Sequence, residues 1–137
     1  MNQSFIDSNI LVYAYDADAG AKHIKAKQLL KECWEAETGV ISTQVLQEFY
    51  VTVTRKLPQP LSKQLARDVI QTYRAWNVYC PSIEDITAAS ELEQQHQFSF
   101  WDALIIIAAQ MSGATTLVTE DLQDGRQVNG VTIVHPF

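Results

Sequence analysis

Ser4-Phe5-Ile6-Asp7-Ser8-Asn9-Ile10-Leu11-Val12-Tyr13 is the stretch on which the fold turns. Ser4–Ile6 reads as a short apolar strand, and Asn9–Tyr15 as a short helix, with Asp7 between them. A strand that runs through an acid straight into a helix is an α/β pattern, and it recurs along the chain. Thr116-Leu117-Val118-Thr119 is a strand with Asp121 just beyond it. Gly39-Val40-Ile41 is a strand, and Glu48 lies one turn into the helix that follows. Asp102 lies in the first turn of the apolar helix Ala103 to Met111. In an open parallel sheet, ligands bind outside the carboxyl ends of the strands, and the helix starts share that edge. Four carboxylates remote in sequence are thereby expected to converge. Such a cluster needs a divalent cation or shared protons to offset its repulsion. The leading expectation is a hydrolase dependent on Mg²⁺ or Mn²⁺.

The remaining chain keeps the alternation. Ala21–Glu37 has helical spacing through Ile24, Leu29, Leu30, Cys33 and Trp34, and Gly39 is expected to stop it. Val40–Ser42 is a strand, and Thr43 is expected to cap a helix running to about Lys56. Ser62–Trp76 is a helix with Leu65, Val69, Ile70 and Tyr73 on one face. Val78–Cys80 is a strand. Ser82 and Asp85 form a capping box for a helix to about Gln95. Phe100–Ser112 is the most apolar helix and is expected to be buried on most sides. Thr116–Thr119 and Val131–Val134 are the last strands. Leu57-Pro58-Gln59-Pro60 reads as a loop between helices, and no internal repeat is present. Strands separated by helices imply crossovers and a parallel sheet covered on both faces. The expectation is an α/β fold on one domain, residues 1–137, with a central, mostly parallel sheet of about five short strands.

The chain has 137 residues, 47% of them hydrophobic, which supports a real core and excludes a disordered chain. The net charge is −6, which argues against a broad nucleic-acid coat. The bases nevertheless group: Lys22, Lys25, Lys27 and Lys31 on one helix, and Arg55, Lys56, Lys63 and Arg67 in a second set. Each set taken singly reads as a solvated helix face. Cys33 and Cys80 have no zinc-type spacing, and both sit among apolar residues, so buried thiols in a reducing compartment are expected. The amino terminus lacks the pattern of a signal peptide. The unbroken apolar run Ala103 to Ala109 is too short to span a bilayer. A soluble cytoplasmic protein with no membrane partner is expected.

Each acid also has a purely structural reading. Asp7 fits a helix cap, Asp102 pairs with Ser99 in a capping-box pattern, Glu48 fits an exposed helix face, and Asp121 and Asp124 fit the turn before Gly125. Their joint placement at one sheet edge favours a shared site. His23, His96 and His135 fall outside that edge. No Gly-x-Ser-x-Gly elbow, Walker A motif or Gly-x-Gly-x-x-Gly loop occurs, which disfavours serine hydrolases, P-loop ATPases and dinucleotide oxidoreductases. Trp101 reads as core rather than as a base-stacking platform, because it adjoins the most apolar helix.

Four motifs together resemble a known family. Phe5-Ile6-Asp7-Ser8-Asn9-Ile10-Leu11-Val12-Tyr13 resembles the opening of PIN domains. Gln47-Glu48-Phe49-Tyr50 is similar to the second acidic motif, Phe100-Trp101-Asp102-Ala103-Leu104-Ile105 to the third, and Thr119-Glu120-Asp121-Leu122-Gln123-Asp124-Gly125 to the fourth. Their order and spacing cover almost the whole chain. The size is most similar to VapC-type toxins of prokaryotic toxin–antitoxin pairs.

The resemblance implies a PIN-like three-layer fold and a metal-dependent endoribonuclease acting on single-stranded or exposed RNA. It implies that Asp7, Glu48 and Asp102 bind the cation and that Asp121 completes the cluster, with Asp124 the second choice and Glu120 pointing elsewhere. It gives Asn9 and Thr43 supporting roles. An antitoxin protein and a homodimer are the implied partners. Lys22, Lys25, Arg55, Lys56 and Arg126 are the candidates for contact with the RNA backbone. Two other readings stand beside it. A haloacid-dehalogenase-like phosphatase also places an aspartate after its first strand, but needs a second aspartate where this chain has Asn9. A degenerate PIN-like protein-binding module fits less well, since all four acids are present.

Overall fold

Residues 2–137 are described by a computed structural model. The opening stretch forms β1 (Ser4–Ile6) and α1 (Ser8–Ala14), and β1 sits in the interior of a six-stranded sheet. The chain continues through α2 (Ala21–Ala36), β2 (Gly39–Ser42), α3 (Thr43–Arg55), α4 (Lys63–Thr72) and β3 (Asn77–Tyr79). Then come α5 (Ile83–His96), α6 (Phe100–Met111), β4 (Thr116–Val118), β5 (Gln127–Val128) and β6 (Val131–Val134). The strand order is β3-β2-β1-β4-β6-β5. Every pairing is parallel except that of β5 with β6.

Phe5 lies in register with Val40 on one side and Leu117 on the other, and all three are fully buried. A parallel strand covered on both faces needs apolar side chains in succession rather than in alternation, as Phe5-Ile6 and Val40-Ile41 provide. From β1 the chain steps to β2 and β3 in one direction. It then returns past β1 and steps to β4 and β6 in the other. Right-handed crossovers place α1 to α4 on one face and α5 and α6 on the opposite face. The packing agrees: α1 lies on α2 and α3, α3 on α4, and α5 on α6. In α6 all seven residues from Ala103 to Ala109 are buried, as a helix apolar all round requires.

Several local expectations are corrected. Ser42, not Thr43, caps α3, its Oγ accepting from the Val45 N–H at 3.4 Å. Gly39 does not stop α2; Glu37 ends it in the left-handed region at φ +56°. Gly39 belongs to β2, where a Cβ would come within 2.4 Å of the Trp76 ring. The helix expected to reach Trp76 ends at Thr72 and tightens into a 3₁₀ turn at Tyr73–Ala75. Cys33 is buried, but Cys80, just past β3, is exposed. The added strand β5 comes from an Asn129-Gly130 turn with φ +52° and +80°, which folds Val128 back onto Val131; Asn-Gly is the favoured pair for such a hairpin. The Ser82–Asp85 capping box is present. Among the described residues no helix is long and apolar enough to cross a membrane.

Candidate active site

The direction of strand stepping reverses between β1 and β4, the topological switch point at which open α/β sheets bind ligands. Asp7 stands at that point. Its N–H donates to the Val118 carbonyl at 3.0 Å, which extends the β1–β4 ladder by one bond. Its Oδ1 accepts from the Ser8 N–H at 2.7 Å, so the capping reading of Asp7 is correct as far as it goes. Its Oδ2 accepts from the Thr119 hydroxyl at 2.8 Å. Asn9 ties the two strand ends together. Its Nδ2 donates to Asp121 Oδ2 at 3.0 Å and to Thr119 Oγ1 at 3.1 Å, with Asp7 Oδ2 at 3.5 Å. Thr119 Oγ1 also accepts from the Asp121 N–H at 3.1 Å.

The other two acids come from the two faces of the sheet. Glu48, half-buried on α3, accepts from the Ser8 hydroxyl at 3.1 Å and from Gln44 Nε2 at 3.3 Å. Gln44 Nε2 also donates to the Trp101 carbonyl at 3.2 Å, joining α3 to the start of α6. Ser8 thus serves Asp7 through its backbone and Glu48 through its side chain. Asp102 sits in the first turn of α6, where its N–H donates to the capping Ser99 Oγ at 3.1 Å. Asp7, Glu48, Asp102 and Asp121 all line one cavity of about 500 Å³, with Ser8, Gln44, Gln47, Val51, Thr52, Lys56, Trp101 and Ile105.

Asp7, Glu48 and Asp102 hold their protons more tightly than free carboxyls do. Burial pushes the Asp7 pKa from 3.8 up to about 7; bonds from Thr119 and Ser8 pull it down, and the charges of Glu48 and Asp121 add to the rise. Glu48 is raised by burial and by Asp102 and Asp121, against the bonds from Gln44 and Ser8. Asp102 is raised by burial and by Asp121, against its bond to Ser99. Two buried acceptors beside the cluster, Asn9 Oδ1 and Gln44 Oε1, have no hydrogen-bond partner. Clustered oxygen donors that repel one another suit hard divalent cations such as Mg²⁺ or Mn²⁺. Among the described residues, however, no three acidic, histidine or cysteine side chains are closed up into a finished coordination sphere. The acids share a cavity without closing on one point, and shared donors link them in pairs, Ser8 between Asp7 and Glu48 and Asn9 between Asp7 and Asp121.

The fold treats the other residues singled out from sequence unevenly. Thr43 is not beside the acids; it lines a separate, apolar cavity with Leu46, Tyr50 and Ile70. Gln44, one residue on, makes the bonds to Glu48 and to the Trp101 carbonyl instead. The acid cavity includes Asp121 and not Asp124, whose Oδ1 instead accepts from the His135 N–H at 2.8 Å. Glu120 turns away, bonded to the Tyr13 hydroxyl and paired with Lys22 at 2.8 Å. Of the five basic candidates only Lys56 lines the cavity. Lys22 is engaged with Glu120, Lys25 and Arg55 are exposed elsewhere, and Arg126 lies over the Phe98 ring at 4.6 Å. Trp101 is not core: it is 61% exposed and lines the same cavity. Sequence reasoning also passed over Ser8, Gln44 and Thr119. Ser8 and Thr119 had a signal, since each is a hydroxyl residue within two positions of a cavity acid; Gln44 had none.

Comparison with known proteins places the fold and the family. No curated protein matches the chain significantly. A toxin–antitoxin complex from Klebsiella pneumoniae contains a chain 25% identical, matched over 98% of both chains with a TM-score of 0.70. Mycobacterium tuberculosis VapC20, a sarcin-ricin loop cleaving toxin, is 20% identical over 84% of this chain and 87% of its own, with a TM-score of 0.68. Rickettsia felis VapBC2, bound to a DNA fragment from its promoter, is 19% identical over 95% of this chain and 96% of that chain, with a TM-score of 0.66. The sequence pattern of the PIN domain matches residues 4–126, nearly the whole chain and all four acidic motifs. The chain therefore belongs to the PIN domain family.

Proposed function

We propose that this protein is a Mg²⁺- or Mn²⁺-dependent endoribonuclease, the toxin of a toxin–antitoxin pair, working as a single domain. The observation that carries the reading is the meeting of Asp7, Glu48, Asp102 and Asp121 in one cavity at the β1–β4 switch point. Those four carboxylates would hold the cation. When bound, the cation supplies the charge that draws in a phosphate, lowers the pKa of the attacking water and stabilises the leaving oxygen.

The surrounding residues keep the acids available. Hydrogen bonds from Thr119 and Ser8 favour the charged form of Asp7 against its burial. The Ser8 hydroxyl and the Gln44 amide do the same for Glu48. Asn9 fixes Asp121 relative to Asp7 across the switch point. Lys56 at the rim offers a charge for a neighbouring phosphate. Water adds to phosphorus and the bond to the 3′ oxygen breaks, leaving a 3′ hydroxyl and a 5′ phosphate. Asn9 cannot act as the second acid of a phosphatase, since an amide has no proton to give and its Nδ2 is committed to the acids. The antitoxins and the sarcin-ricin activity of the structural relatives support a partner protein and an RNA substrate, and a homodimer is the assembly we adopt.

The test is RNA cleavage by the purified protein with Mn²⁺, with chelator, and as the Asp7→Asn and Asp102→Asn variants. Cleavage should need the metal and vanish in both variants while the fold persists. Cleavage retained in both variants would remove this cavity as the active site.

A further inference from the structure

We propose that Trp101 is a stacking platform for one unpaired nucleobase of the RNA, next to the bond that is cut. The inference rests on the ribonuclease reading and adds a substrate-positioning residue to it. Large aromatic side chains usually bury their surface, yet Trp101 keeps 61% of its own exposed while lining the acid cavity, so it stands at the cavity rim. It is the residue before Asp102, and consecutive Cα atoms lie about 3.8 Å apart. A ring there is within one nucleotide of a phosphate held among the acids.

The residue is also held in place. Its carbonyl accepts from Gln44 Nε2 at 3.2 Å. Its ring meets that of Phe100 edge-on, with centroids 5.1 Å apart and planes at 77°. That contact braces the indole, and its 61% exposure leaves ring surface for a base. Gln44 has a fixed orientation, because its Nε2 faces two acceptors, Glu48 Oε2 and the Trp101 carbonyl, and a flipped amide would set oxygen against oxygen. One amide therefore couples the platform to a cavity acid. Val51 and Ile105 continue an apolar wall from Trp101, and Lys56 adds a rim charge. An apolar wall, an acidic floor and a single cation match a nucleotide whose phosphate enters the cavity and whose base lies against the wall. Single-stranded RNA offers splayed bases that stack on aromatic faces, and such stacking tolerates any base.

The experiment uses the shortest single-stranded oligoribonucleotide that the Mn²⁺-loaded wild type cuts, and failure to cut any would count against the ribonuclease reading itself. Trp101→Ala should raise KM about tenfold or more with kcat within about threefold, in line with the loss of one stacked base. Trp101→Phe should restore most of the loss, and both variants should melt as the wild type does. An oligonucleotide abasic at the residue flanking the cut should weaken the wild type as much as Trp101→Ala does, and the two changes together should do no further harm. Independent, multiplying penalties, or a KM within twofold of wild type in Trp101→Ala, would overturn the platform while leaving the ribonuclease intact. The same holds if Trp101→Ala spares KM and weakens only the binding of a protein partner, which would assign the rim to that partner.

Discussion

Asp7 and Asp85 both stand at helix N-termini, Asp7 as the cap of α1 and Asp85 in the first turn of α5, and their exposed surface is almost equal, at 5% and 4%. Their surroundings are opposite. Burial pushes the Asp85 pKa up, but bonds from the Tyr79 hydroxyl and from the backbone and side chain of Ser82 more than reverse this, leaving it below the usual value. Asp7 has donors too, from Thr119 and Ser8, but burial outweighs them, the charges of Glu48 and Asp121 add to the rise, and its pKa ends at about 7. One acid is satisfied within the protein. The other is left with charge that only a bound cation or a proton can balance. The two acids therefore divide by how strongly the protein dehydrates their charge and by what stands beside it, and the unsatisfied one marks the candidate site.

The contrast can be broken most directly by neutralising each acid. Asp7→Asn should lower RNA cleavage by on the order of a thousandfold or more, whereas Asp85→Asn should leave cleavage per folded molecule unchanged. An equal loss in both would erase the distinction.

The pH dependence should have opposite signs. The folded-state pKa of Asp7 lies above its unfolded value of 3.8. Folding therefore takes up a proton between these values, and the contribution of Asp7 is full below about pH 4 and lost as the pH rises through about 7. Chelator-treated wild type should lose on the order of 2–4 kcal/mol of stability over that rise, and Asp7→Asn should lose clearly less, keeping only the share of Glu48 and Asp102. Asp85, with its lowered pKa, contributes stability that is present at neutral pH and lost as the pH falls below the usual carboxyl range. Denaturant titrations at pH 3, pH 5 and pH 8 separate the two, the upper pair reading Asp7 and the lower pair Asp85; a wild type no weaker at pH 8 than at pH 5 would contradict the environment assigned to Asp7.

Calorimetry sharpens the comparison. Glu48→Gln should weaken Mn²⁺ binding about tenfold, and unchanged affinity would take Glu48 out of the ligand set. Asp85→Asn should cost about 1–2 kcal/mol in chemical denaturation, from the lost capping box and the weakened bond to Tyr79. The smallest effect is expected at Lys56. Lys56→Ala should weaken RNA binding evenly across sequences and lower the slope of affinity against salt by about one phosphate's worth. An unaltered slope would mean that Lys56 touches no phosphate.

Much of this was legible from sequence because it is local. Strand, acid and helix follow one another within ten residues at Ser4–Tyr13. The apolar character of Ala103–Ala109 dictates a buried helix, and Ser82 and Asp85 cap α5 across three positions. What failed also has local causes. Thr43 and Gln44 are neighbours on α3, and a step of one on a helix turns a side chain by about 100°, so Gln44 lines the acid cavity while Thr43 faces another. The Asn129-Gly130 hairpin encloses a strand of only two residues, too short for a periodic signal.

The sequence by itself determined the α/β class, the order of the elements, the four acidic motifs and membership of the PIN domain family, because hydrophobic spacing and caps act between near neighbours. Tertiary structure alone decided that Asp121 rather than Asp124 enters the cavity, that Thr119 serves Asp7 from 112 positions away, and that Trp101 faces outward. Those outcomes depend on where side chains point once the sheet has closed between β1 and β4, and no local pattern encodes that direction.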